Sequence, residues 1–184
     1  MEKTEKQYIE LVNICRDIFH RKMKDYGISW RIMRPRSVTD QIFIKAQRIQ
    51  SIELKGKQEI EDDIKSEFIG IVNYGVIGMI QLELGPGDPA EITGDKVMEL
   101  YQEKIDLARN LMMKKNHDYG EAWRDMRISS YTDLILMKIF RTKQIEDNDG
   151  QTIVSEGIEA NYLDMINYAI FGLIKLVFEK SEEK

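Results

Sequence analysis

Three carboxylates and an amide crowd one stretch near the C-terminal end of this 184-residue chain: Glu156, Glu159, Asp164 and Asn167. Set on a helix, they fall within an arc of about 140°, on the side away from Ile158, Met165 and Ala169. A ribbon of oxygen ligands suits a hard divalent cation such as Mg2+, which keeps positions for water and phosphate. Glu156 and Glu159 also read as a solvated acidic face, since acids in a first turn suit the helix dipole. Asp164 differs from them. It stands in a nearly all-apolar segment, where an ionised carboxylate needs a partner.

Other residues could complete such a site. Lys138 and Arg141, three apart, share a helix face and make a phosphate-binding pair, or a salt bridge to the acids of a neighbouring helix. Asp118 sits in the last turn of a helix, where it opposes the dipole, and with His117 it could orient a water. Tyr119 and Trp123 read in two ways, as core anchors or as a ring stacked on a nucleobase.

These residues belong to a duplication. Asp25, Tyr26, Gly27, Trp30, Arg31 and Arg34 recur, with the same spacing, as Asp118, Tyr119, Gly120, Trp123, Arg124 and Arg127, and Lys45 and Arg48 recur as Lys138 and Arg141. The copies have diverged unequally. Opposite the acidic ribbon the first copy has Asp62, Lys65, Gly70 and Asn73. The expectation is that only the second copy keeps a metal site. Asn73 and Asn167, each followed by tyrosine, survive in both and read as structural amides, with Asn167 also a candidate contact to a ligand.

The pattern Lys-x-x-Asp-Tyr-Gly-x-x-Trp, then Lys-x-x-Arg, then Glu-x-x-Glu with Asp-x-x-Asn-Tyr, resembles the nucleotide-modification-associated helical domain of phages and bacteria. It would occur twice, over residues 14–82 and 107–176. The resemblance implies a place in nucleotide or nucleic-acid-base metabolism. More distantly, the acidic helix is similar to that of the all-α nucleoside triphosphate pyrophosphohydrolases of the MazG and dimeric dUTPase type, which hold magnesium on Glu-Glu-x-x-Glu and Glu-x-x-Asp. Here no Glu-Glu-x-x-Glu occurs, and Asp164 follows Glu159 by five residues. That departure weighs against hydrolysis and leaves a metal–phosphate site standing.

The elements that must position these groups are helical. Tyr8, Leu11, Val12, Cys15, Ile18 and Phe19 mark a first helix over residues 5–24, ended by Gly27. Ser37 starts a second, running to about Glu53, and a third spans about Gln58–Leu84. Gly85–Ala90 is the Gly/Pro joint between copies. A fourth helix begins near Asp95, a fifth runs from Ser130 to Glu146–Gly150, and a sixth covers about Thr152–Lys180. No stretch alternates with period two. The fold expected is all-α: six main helices as two tandem three-helix repeats, 1–84 and 96–184 about an 85–95 linker, in one pseudo-twofold bundle.

Composition sets the outer bounds. Net charge is −5, which argues against a non-specific duplex binder. Nucleic acid is the less favoured partner, and would be met through Arg31, Arg34 and Arg36 with Trp30. The single cysteine, Cys15, excludes an intrachain disulfide, and the charged N-terminus lacks a secretory signal, so the expected setting is the cytoplasm. No membrane span is expected: Tyr162–Phe178 is broken by Asp164, Asn167 and Lys175. The expected partner is a nucleotide or nucleotide-like small molecule, with a homo-oligomer allowed. The first reading is a nucleotide-binding protein, extending to a Mg2+-dependent nucleotide phosphohydrolase. Its alternative is a non-catalytic helical module whose polar residues knit helices together.

Overall fold

The computed structural model describes residues 2–56 and 64–179. Among them are six α-helices and no strand. We number them α1 (Glu2–Tyr26), α2 (Pro35–Lys55), α3 (Ile64–Leu84), α4 (Gly94–Tyr119), α5 (Ile128–Asp147) and α6 (Ile158–Ile174). A short 3-10 turn follows α1 at Ser29–Ile32 and recurs after α4 at Ala122–Asp125. Each repeat is therefore a long helix, a turn, a second long helix and a third that is almost wholly apolar.

The third helices form the centre. α3 packs on α6, α2 lies on α3, α5 lies on α6, and α2 meets α5. Small residues let the axes approach. A Cβ added at Gly78 would stand 2.3 Å from the Tyr162 ring, and one at Gly75 would stand 2.6 Å from Ile166. α3 is long and apolar enough to cross a membrane, but 72% of its apolar window is buried here against protein.

Helix ends follow local chemistry. Gly27 and Gly120 close α1 and α4 with φ of 70° and 60°, in the left-handed region that glycine enters without a Cβ penalty. Three expected starts move. α2 begins at Pro35, where a missing N–H costs nothing in the first turn, rather than at Ser37. α5 begins at Ile128 rather than Ser130, and its preceding Arg127 repeats the extended backbone of Arg34. α6 also starts late, at Ile158 rather than Thr152. Residues 151–157 run as exposed chain, and α6 gives way to a π-helical turn at Lys175–Glu179.

The two halves are laced together by their asparagines. Tyr8 Oη donates to Asn167 Oδ1 at 2.8 Å, and Asn167 Nδ2 donates to the Ala108 carbonyl at 2.9 Å. Tyr101 Oη donates to Asn73 Oδ1 at 2.8 Å, and Asn73 Nδ2 donates to the Cys15 carbonyl at 3.1 Å. Each amide thus bonds the first helix of its own repeat and the tyrosine of the other. Tyr8 and Tyr101 are fully buried, and burial raises both phenol pKa values.

Candidate functional site

The second repeat spends its charges internally. Asp164 on α6 is buried, with Lys115 Nζ 2.7 Å from Oδ1 and Lys138 Nζ 2.7 Å from Oδ2. Lys115 comes from the end of α4 and Lys138 from α5, so one carboxylate ties three helices. Burial, the largest influence on Lys115, lowers its pKa, but the hydrogen bond and charge of Asp164 outweigh it and the net shift is upward.

This arrangement revises the acidic ribbon. Glu156 precedes α6 and is exposed, Glu159 is exposed in its first turn, and Asp164 is buried with both oxygens engaged by ammonium groups. The late start of α6 takes Glu156 off the helix, so the three acids share no face. No group of three His, Cys, Asp or Glu side chains that could hold a metal ion occurs among the described residues. The donor set does not fit magnesium, because the one buried carboxylate already has two cations. Asp62, the first copy's counterpart of Glu156, lies outside the described residues.

The remaining expected residues separate. Arg141 is exposed on α5, one turn beyond Lys138. His117 and Asp118 are exposed, with His117 Nδ1 3.2 Å from Asp118 Oδ1. Tyr119 is 76% exposed. Trp123 is a core anchor: its ring stacks on Phe171 with centroids 4.3 Å apart and an interplanar angle of 9°. Asn167 has no free end for a ligand, because its amide is used at both atoms. The basic cluster of the first repeat also disperses. Arg31 is buried and donates to Gln81 and the Gly85 carbonyl, Arg36 pairs with Asp147, and Trp30 is buried.

Open space lies in the first repeat instead. A cavity of about 560 Å3 opens between α1, the 29–32 turn, α2 and α3. Phe19, Trp30 and Tyr74 line it, and Lys22, Lys45 and Glu67 supply charge. Lys45 Nζ lies 3.4 Å from Glu67 Oε2 and 5.7 Å from the Tyr74 ring centroid, and Arg48 bonds the other oxygen of Glu67. Partial burial and the neighbouring Tyr26 raise the Tyr74 pKa.

The duplication explains why the cavity is here. Allowing for one extra residue in the second copy's loop, Gly70 matches Asp164, Ile77 matches Phe171 and Glu67 matches Asn161. The first repeat thus lacks the carboxylate and the large ring that occupy these positions in the second. Its acid, Glu67, stands one helical turn earlier. Lys22 and Lys115 open the repeated motif at matching positions and both reach these sites. Their recurrence at the head of Lys-x-x-Asp-Tyr-Gly is the sequence signal that marks them.

The fold and site define an all-α protein built from one three-helix unit used twice, with a lysine-bearing pair of helices facing a third helix in each copy. The chain belongs to the family described as nucleotide modification associated domain 1, whose model matches residues 22–82 and 115–176. No curated protein and no solved structure matches it.

Proposed function

We propose that this protein binds a nucleotide, and that the cavity of the first repeat is where it does so. The observation that carries the reading is the cavity itself. Its volume of about 560 Å3 lies within the range of small-molecule sites, and it combines aromatic walls with two lysines. Trp30, Phe19 and Tyr74 offer ring faces or edges to a base, while Lys22 and Lys45 offer ammonium groups to phosphate. Membership of a nucleotide-modification-associated family supports the ligand class.

The second repeat serves as scaffold in this reading. The Lys115–Asp164–Lys138 cluster and the Trp123–Phe171 stack are consistent with structural use of residues that could otherwise contact a ligand. The reading is one of binding, and no catalytic step is assigned to Asp118 or His117. It calls for no protein-bound magnesium. A cation carried in by a nucleoside triphosphate is a separate matter.

The test is thermal denaturation of the full chain against nucleoside mono-, di- and triphosphates, with and without magnesium. A ligand at 100 times its Kd adds about 2.7 kcal/mol, which raises the midpoint by several degrees. Trp123→Phe leaves Trp30 as the single tryptophan, so its fluorescence should change on binding. No stabilisation by any nucleotide and an unchanged Trp30 signal would overturn the reading.

A further inference from the structure

The two copies of one motif act as each other's control, and their differences around the conserved lysines are informative. In the second repeat two ammonium groups hold the Asp164 carboxylate at 2.7 Å each. In the first repeat the matching lysines are present as Lys22 and Lys45, both on the cavity, but the residue matching Asp164 is Gly70. We infer that Lys22, Lys45 and the space over Gly70 form an anion subsite. The ligand's own anionic oxygens would sit there as the Asp164 carboxylate sits in the other repeat. This rests on the cavity being the ligand site, and it names where the phosphate end goes.

Three observations support it. Lys22 is exposed and has no ion pair among the described residues. Lys45 has a carboxylate neighbour, but at 3.4 Å from Glu67, which Arg48 holds by its other oxygen. Lys45 therefore keeps donor capacity for a second anion. Without a partner there, its chain lies across the vacant position. A Cβ built on Gly70 would meet Lys45 Cε at 2.7 Å and Nζ at 3.0 Å. Those are the far atoms of a flexible side chain, which an anion could draw aside. The third observation is the exchange of acid positions. The second repeat has Asn161 where the first has Glu67, so each copy keeps one acid within reach of its lysine, and only the first has no side chain of its own at the position matching Asp164.

The chemistry required of the ligand is an anionic oxygen group at one end of a molecule small enough for the cavity. A phosphate ester fits two lysines better than a lone carboxylate does, because it carries more charge and more acceptor oxygens.

Inorganic phosphate titrated into the full chain by calorimetry is the direct probe, with acetate beside it. Wild-type protein should bind one phosphate, and more tightly than acetate. Gly70→Asp should abolish that binding by supplying the anion internally. Lys22→Ala should weaken it about ten-fold, the loss of one charge-assisted contact. Since Lys22 is at the surface, that variant decides the matter even if Gly70→Asp does not fold. Wild-type protein that holds no phosphate, or a Lys22→Ala variant that binds it as well as wild type, would overturn the subsite. The two readings fail differently. If phosphate binds but no nucleotide binds better, the nucleotide assignment falls and the subsite stands. If nucleosides bind as tightly as nucleotides and phosphate does not bind, the cavity stands and the subsite falls.

Discussion

Tyr8 and Asn167 are 159 positions apart and joined by a 2.8 Å hydrogen bond in the core, and Tyr101 with Asn73 repeats that bond with the roles of the two halves exchanged. Each asparagine also donates to a carbonyl inside the first helix of its own repeat, at Ala108 or Cys15. The reciprocity ties the duplicated halves into one core, because neither amide can be satisfied by its own repeat alone. It also explains why this amide persists in both copies while the residues around it have diverged.

Removing either amide should therefore be costly. Asn167→Ala leaves the buried Tyr8 phenol without its acceptor, at about 1–3 kcal/mol, while the Ala108 carbonyl keeps its place inside α4. Asn73→Ala should cost a similar amount, whereas Tyr8→Phe, which removes only a donor, should cost about 1 kcal/mol. Urea unfolding monitored by circular dichroism measures all three. A loss below about 0.5 kcal/mol for Asn167→Ala, the usual scale of surface changes, would mean the bond is not structural.

Asp164→Asn should destabilise by about 3–5 kcal/mol, because it strips the partner from Lys138, an ammonium group with only 8% of its side chain exposed. Glu67→Gln should cost less. Its partners Lys45 and Arg48 are 26% and 34% exposed and can turn to water. Equal losses in the two variants, read from chemical unfolding, would contradict this ranking of burial. Asp164→Leu is informative as well, since it removes the charge without offering the lysines any polar group.

The glycine caps offer a check on backbone conformation. Gly120→Ala should cost about 1 kcal/mol or more, since alanine at φ of 60° meets a Cβ penalty that no neighbour relieves. Nothing lies within 4 Å of a Cβ built there, so the cost would be conformational and not steric crowding. A thermal midpoint equal to wild type would place the end of α4 elsewhere.

The helical repeat could be read from sequence because its determinants are local and doubled. Gly27 and Gly120 ended helices where expected, and the amides Asn73 and Asn167 proved buried and satisfied. Other features depended on what a pattern does not display. Glu156 looked like part of a helical ribbon because acids at that spacing fit one. Nothing local announced that residues 151–157 would stay outside α6, although Gly157 just before its start was a hint. Asp164 looked like a ligand because its need for a partner was legible, while the identity of that partner was not: Lys115 and Lys138 arrive from two other helices. The cavity depends on a side chain that is missing at Gly70. Composition registers a missing side chain only when a second copy shows what could have been there.

Glu121 supplies the pH dependence. It sits at φ of 40°, a conformation a residue with a Cβ seldom adopts, just after the Gly120 cap. Its carboxylate accepts hydrogen bonds from Thr4 and from Arg124 Nε, the latter at 3.0 Å, and Arg124 lies over the Trp123 ring and also bonds Gln7 and Glu179. The Thr4 hydrogen bond comes first among the causes that hold the Glu121 pKa down, from 4.5 to about 2. A carboxyl whose folded pKa is depressed contributes stability that is fully present above its unfolded value of 4.5. That contribution is lost as pH falls toward about 2, where the folded form also takes up its proton. Glu121→Gln should therefore be less stable than wild type at pH 7, and the gap should close as the pH is lowered from 4.5 toward 2. The measurement is paired urea unfolding of both proteins across that range. A gap that stayed constant with pH would show that Glu121 contributes through its shape and amide-like contacts, and that its charge does not matter to this corner of the fold.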